Sequence, residues 1–395
     1  MTDPMNGQRL ESARKAMAAA GMDALVCRLP ENVVMLSGHW PLCGDAVLIF
    51  AQEGEAVLLV PDTQAADIAQ DFFGTAIMTY PHGRHDSPDQ ESEIQRCLTD
   101  LSRRKRWKKI GIEGDFDSLA ASGNAAEPRV PGTKFRRLLE NSFGGSEFAD
   151  ASGLLDSLRK SKTAWEIEKI RIACEIANIG IEVFFALADA GRTAIELAAA
   201  VESSILVRGI GYKKARRVRA FAQVAVGDSE TAMGWRPFEV TTDRKLLSGE
   251  LSLLELAVVA DGYWSDRTRA RVAGHARAGQ IAANEAVKAA QDSALSAIRP
   301  GVSAGTVDAK ARATLSMAGY GREFVHITGH GVGFRYHESY PMFTPESAHT
   351  LVAGATATVE PGIYSSAFGG IRIEDDIVVT GDGYEILAPF SREIG

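Results

Sequence analysis

Four acidic residues stand inside runs that otherwise read as buried strands: Glu255 in SLLELAVV, Asp266 past the ADGY turn, Glu360 in TATVEPGIY and Glu374 in GIRIEDDIVV. An unpaired carboxylate in low dielectric is expensive. One alone would be an edge-strand charge facing water, but four arranged as two hairpin pairs ask for a shared counter-charge. A metal ion, or two ions sharing bridging carboxylates, supplies it. The segment HITGHGVGFRYHE adds His326, His330 and His337 as nitrogen donors, separated by small residues that permit close backbone approach. His82, His85, His275 and His349 are read as ordinary surface or core residues; the HxxH of His82 and His85 lies in a polar loop with no acidic residue at metalloprotease spacing. No thiolate takes part. Cys27, Cys43, Cys97 and Cys174 are scattered without a CxxC, so neither a structural zinc nor a disulfide framework is expected, and a reducing compartment fits best.

The elements that must position these residues fall into two regimes. Residues 8–20 read as an amphipathic helix, DALVCRL and VVML as strands, and GDAVLIF and EAVLLV as a hairpin about AQEG; RWKKIGIEG introduces a further strand. This α/β pattern carries no glycine-rich phosphate loop and fades near residue 150. Beyond it, Thr163-Ala-Trp-Glu166 is a capping-box pattern opening a helix that runs through Phe184 and stops before Gly191; Thr193-Ala-Ile-Glu196 opens another. The downstream half repeats this at an offset of 110 residues, Gly301 answering Gly191, Ser303 answering Thr193, and GYG at 319–321 answering GIG at 209–211. The second regime therefore reads as two pseudo-equivalent α/β halves, each ending in a ligand-bearing hairpin, the second hairpin turning at Gly369 and Gly370.

The composition, 45% hydrophobic with 24% charged over 395 residues, is that of a folded chain with material for two domains. A net charge of −8 argues against a generic nucleic-acid or anionic-membrane binder. The N-terminal segment is polar and amphipathic, no apolar run approaches a membrane span, and a cytoplasmic location is expected.

The segments GHGVGFRYHE, VEPGIY and GIRIEDDIVVT resemble the signature blocks of the pita-bread metallohydrolases, the group containing methionine aminopeptidase, aminopeptidase P, prolidase and creatinase. DALVCRLPENVVMLSGHW resembles the start of the N-terminal domain of the last three. The resemblance implies an N-terminal creatinase-like α/β domain over 1–155 and a pseudo-two-fold pita-bread α/β catalytic domain over 156–395. It also implies one or two divalent ions (Mn, Co, Fe or Zn) held by Glu255, Asp266, His330, Glu360 and Glu374. Glu360 would be the general base toward a metal-bound water, and His326 and His337 would act around substrate and leaving group. Arg372 matches a family arginine near the same site. Full-length relatives are generally homodimers, which makes His39 and Trp40, in SGHWPLCGD, candidates for a cross-subunit substrate pocket.

Two positions depart from the family pattern. The first ligating aspartate, eleven residues before Asp266, is Glu255 here, a carboxylate longer by one methylene. Trp235 stands where these relatives carry a catalytic histidine, and an indole offers one N–H donor but no proton acceptor. The expected activity is metal-dependent hydrolysis of a C–N bond in an amide or peptide, and the resemblance implies dipeptides or peptides with proline after the first residue. The alternatives on the same scaffold are a hydrolase or lyase of a small non-peptide metabolite, then a metal-free creatinase-like reaction or a non-catalytic binding protein.

Overall fold

The computed structural model describes residues 6–41, 46–68, 73–74, 76–83, 89–115, 132–236 and 242–395; Cys43 and His85 lie outside them. The described chain forms two compact units, one ending at Arg159 and the other running from Lys160 to Gly395.

In the first unit the opening helix is Gly7–Ala20, as its amphipathic pattern predicts. Six strands follow: β1 (Ala24–Cys27), β2 (Val47–Ala51), β3 (Val57–Pro61), β4 (Ala76–Tyr80), β5 (Lys109–Ile112) and β6 (Glu147–Asp150). They form one sheet in the order β4-β3-β2-β1-β5-β6. The hairpin about AQEG is β2–β3, antiparallel, whereas β1–β5 and β5–β6 are parallel. Val26, Ile49, Leu59 and Ile110 pack in its core.

The run VVML is not a strand. It lies in the helix Pro30–Ser37, with proline in the first turn and Gly38 at φ 74 closing the C-terminus. Four consecutive apolar residues do not distinguish a buried strand from a buried helix. The flanking residues decide. Glu113 accepts the backbone N–H groups of Arg28 and Leu29 at 2.8 and 3.0 Å and the Asn32 amide at 2.7 Å, so a carboxylate ties down the approach to the helix.

The second unit begins as the sequence predicts. Helices Ala164–Leu187 and Ala194–Gly209 both open with complete capping boxes, Thr163 with Glu166 and Thr193 with Glu196. They pack on a sheet of β7 (Val218–Val226), β8 (Leu251–Ala260) and β9 (Tyr263–Val272), with Ile176, Leu197, Leu254, Leu256 and Val258 in the shared core. Helices Ala278–Ser296 and Ala304–Met317 cover the second half. Its strands are β10 (Gly329–Gly331), β11 (Glu338–Phe343), β12 (Thr356–Val359), β13 (Gly362–Ser365), β14 (Gly369–Arg372), β15 (Asp375–Val379) and β16 (Tyr384–Ile386). They run in the order β11-β10-β12-β15-β16, with β13–β14 as a separate ribbon.

The internal repeat is visible in backbone pairing. Gly191 donates to Leu246 and Gly301 to Leu351, both at 2.8 Å and both glycines at positive φ, while Thr193 bridges Lys245 as Ser303 bridges Thr350. The correspondence slips past the helix ends: the left-handed glycines there are Gly211 and Gly319, not Gly211 and Gly321.

Candidate metal centre

Turn chemistry fixes the register that assembles the site. Asp261 and Gly262, at φ 49 and 89, form the two-residue turn that matches the twist of a hairpin. The turn pairs Ala257 with Asp266 and Glu255 with Thr268. Strand alternation then puts Glu255, Asp266 and Thr268 on one face of the sheet, while Leu254, Leu256 and Val258 face the helices.

Glu360 and Glu374 were expected inside strands. They lie instead at the matched break between two ladders: β12–β15 ends at the Val359–Asp375 pair, and β13–β14 begins at the Gly362–Arg372 pair. Leaving the ladder at the same level lets both side chains turn out of the sheet plane. Each backbone N–H is still satisfied, Glu360 by Thr328 O at 2.8 Å and Glu374 by Thr268 O at 3.1 Å.

His330 arrives on β10 between two glycines. A Cβ at Gly329 would lie 2.1 Å from the Thr358 carbonyl oxygen, and one at Gly331 would lie 2.0 Å from that of Tyr340, so no larger residue fits at either position. The small residues around the histidines thus serve the close approach their spacing implied. A register shift between His330 and Gly331 interrupts the β10–β11 pairing.

Around His330 the ligand-type atoms converge. Its Nε2 lies 3.5 Å from Asp266 Oδ2 and 3.4 Å from Glu360 Oε1. Its Nδ1 is 3.0 Å from the Gly331 carbonyl, which only accepts, so the Nδ1 proton is used there and Nε2 is the nitrogen turned toward carboxylate oxygens. With Nδ1 engaged, Nε2 is the nitrogen free to share a cation with these two carboxylates. Two further atoms ask for the same thing: Asp266 Oδ1 and Glu374 Oε1 are buried without a hydrogen-bond partner. Among the described residues two groups have ligand atoms mutually within 4.8 Å, Asp266 with His330 and His337, and His330 with Glu360 and Glu374.

The electrostatics agree. Burial, followed by repulsion from Glu255 and Glu360, holds the Asp266 carboxyl well above its ordinary range; burial and the Asp266 and Glu360 charges do the same to Glu374. Burial also raises Glu360. A bound divalent ion would reverse that balance. The donor set, three carboxylates and an imidazole with orphaned oxygens, fits such an ion.

The other expected site residues divide. His337 joins the cluster, its Nε2 3.9 Å from Asp266 Oδ2 and its ring 4.0 Å from that of His330. Glu255 belongs to neither ligand group: its Oε1 accepts from Tyr336 Oη and its Oε2 from Arg372 Nη2, both at 2.7 Å. Arg372 also donates through Nε to Thr268 Oγ1 and through Nη1 to the Gly234 carbonyl and Tyr364 Oη, each at 3.0 Å. Tyr364 in turn lies 3.0 Å from His326 Nε2, and His326 Nδ1 is 2.7 Å from the Ile327 carbonyl, so both ring nitrogens are engaged. Trp235 is 38% exposed under the Arg236 guanidinium, next to the glycine that holds Arg372. His39 and Trp40 belong to the first unit, where His39 is buried and its backbone N–H donates to Ser37 Oγ at 3.1 Å.

Sequence reading passed over Tyr336, Tyr364 and Thr268, although each sits inside or beside a quoted segment. It also missed the layer behind the ligands. Arg267 and Arg269, almost fully buried, both contact Asp375, and Gln291 donates to its second oxygen at 3.0 Å. Burial pushes the Asp375 carboxyl up, but Arg269 and Arg267 outweigh it and hold it at about 2.

The His326 chain gives a pH signature. Burial, with the Arg372 charge adding to it, pushes His326 down to about 3. Its folded pKa lies below the ordinary 6.5, so the neutral ring contributes stability that is complete above that value and lost as pH falls toward 3. By NMR the His326 ring should not titrate between about pH 5 and 8. The stability difference between wild type and His326→Gln should shrink as the solution is acidified from 6.5 toward 3. A His326 titration near neutrality would contradict the buried relay.

Comparison with known proteins agrees with this architecture. Residues 168–381 match the model of metallopeptidase family M24, and residues 9–161 match that of the creatinase/prolidase N-terminal domain. The chain is 30% identical over 387 residues to an Xaa-Pro dipeptidase of Pyrococcus furiosus, covering 98% of this chain and 99% of the relative. Among solved structures it is similar to the prolidase from Pyrococcus horikoshii OT3 (TM-score 0.77, 26% identity, 98% and 99% of the two chains). It is equally similar to an X-Pro aminopeptidase from Thermotoga maritima MSB8 (TM-score 0.77, 25% identity, 96% and 99%). With residues 168–381, more than half of its length, matched by the family model and its pita-bread architecture shared, the chain belongs to metallopeptidase family M24.

Proposed function

We propose that this protein hydrolyses the peptide bond before proline in dipeptides or short peptides, with a divalent ion held by Asp266, His330, Glu360 and Glu374. The observation that carries the reading is the convergence of Asp266 and Glu360 on Nε2 of His330, with Glu374 in the same ligand cluster and orphaned oxygens on Asp266 and Glu374. A bound divalent ion supplies positive charge that polarises a scissile carbonyl and acidifies water. Mn, Co, Fe and Zn all suit oxygen and imidazole donors, and availability selects among them.

The chain's own groups supply the rest. Glu360, buried beside the ligand cluster, is the carboxylate placed to act as general base toward an attacking water. Thr358 Oγ1 lies 3.2 Å from its Oε1 and orients it. Burial pushes His337 down to about 2, so it stays a neutral ring and offers one N–H toward a developing oxyanion or the departing amine. His326 reaches the site through Tyr364 and Arg372, stiffening the wall opposite. Trp235, whose neighbour Gly234 accepts from Arg372, is the substrate-facing residue in this reading. Similarity to Xaa-Pro dipeptidases supports a peptide substrate over a small metabolite.

The test is hydrolysis of X-Pro and X-Ala dipeptides by protein stripped of metal and reconstituted with each ion. Cleavage of X-Pro alone, dependent on the ion, is the expected result. Absence of cleavage with every ion, or equal cleavage without one, would overturn the proposal.

A further inference from the structure

Glu255 sits at the strand position where a dinuclear centre needs its first aspartate, yet both of its oxygens are committed elsewhere. Arg372 Nη2 and Tyr336 Oη each approach to 2.7 Å, one on each oxygen. The guanidinium contact is a charge-assisted hydrogen bond, stronger than a neutral one. Thr268, directly across the strand pair from Glu255, donates its hydroxyl to Glu374 Oε2 at 2.6 Å and accepts from Arg372 Nε at 3.0 Å. Glu374 therefore has Oε2 held by Thr268 and Oε1 buried without a hydrogen-bond partner.

From these contacts we infer that the centre is built for a single ion, held by Asp266, His330, Glu360 and Glu374, and that Glu255 is a positioning residue that fixes Arg372 and Tyr336 where a second ion would be ligated. The inference rests on the metal-dependent reading above and deepens it. The fixed positive charge of Arg372 stands within hydrogen-bond distance of Glu255, so a second divalent ion would have to displace or face a guanidinium held by four acceptors: Glu255, Thr268, Tyr364 and the Gly234 carbonyl. The extra methylene of glutamate over aspartate is what spans to Arg372. Tyr336 completes the replacement, with its ring 4.1 Å from that of His337 and 5.9 Å from that of Trp264, so Glu255 also sets the wall beside the cluster.

The experiment is calorimetric titration of the metal-free full chain with Mn(II), followed by electron paramagnetic resonance of the loaded protein. Wild type should bind one ion with the spectrum of an isolated Mn(II). Glu255→Gln keeps the side-chain length and, through its carbonyl oxygen, the Arg372 contact, while its NH2 can only donate toward Tyr336 Oη; it should bind one ion with affinity within about threefold of wild type. Glu255→Asp, shortened by about 1.5 Å, releases its carboxylate from Arg372 and should bring a second ion and an exchange-coupled spectrum. Two coupled ions in wild type would overturn the inference, as would an affinity loss of about a hundredfold in Glu255→Gln. An uncoupled Glu255→Asp spectrum would overturn the assignment of the block to the Glu255–Arg372 pair. No binding in wild type would sink the metal-dependent reading itself, and the inference with it.

Discussion

Glu374→Ala should strip the divalent ion from a still folded protein and lower kcat/KM by roughly a thousandfold or more, because Lewis-acid stabilisation is worth several kcal/mol in the transition state. The side chain carries one of the two orphaned ligand oxygens and is oriented by Thr268 at 2.6 Å, so its loss removes a ligand without opening a large apolar cavity. Stability of the metal-free form should rise or stay level. Burial and the Asp266 and Glu360 charges penalise this carboxylate when no cation is present. Metal analysis beside a thermal scan separates the two effects, and unchanged metal content with full activity would remove Glu374 from the ligand set.

The second large effect is on stability. Asp375→Ala leaves Arg267 and Arg269, which are 0% and 1% exposed at their side chains, without their shared anion. Breaking a buried pair by deleting one partner typically costs about 3–5 kcal/mol. For a unit of this size that lowers Tm by roughly 10 °C. The metal site should suffer as well, since Arg269 Nη1 donates to the Glu374 backbone carbonyl at 2.8 Å and holds the strand that presents the ligand. A change in Tm of less than about 2 °C would show that carbonyl oxygens alone, such as that of Ala388 on Arg267, satisfy the two guanidinium groups.

The candidate carboxylates were legible as a group because carboxylates are conspicuous in apolar runs, and because the Asp261–Gly262 turn fixes a register that needs no tertiary information. The capping boxes at Thr163 and Thr193 were legible for the same reason: both partners lie within four residues. What escaped was long-range. Glu255 finds Arg372 across 117 positions, and Arg267 finds Asp375 across 108, so nothing in the local pattern announces either pair. The helix at Pro30–Ser37 was misread because its apolar run is buried on all sides, which erases the periodicity that separates helix from strand. Glu360 and Glu374 were placed in the right segments but the wrong local state. A break between two ladders leaves the flanking apolar pattern intact while freeing the residues at the gap.

The central claim is that Asp266, His330, Glu360 and Glu374 together hold a divalent ion. Its most direct test is anomalous diffraction from a crystal of the manganese-loaded protein. The account predicts a peak within about 2.0–2.3 Å of ligand atoms from all four residues. Full loading with no peak among those four side chains, or with the peak elsewhere in the chain, would contradict it.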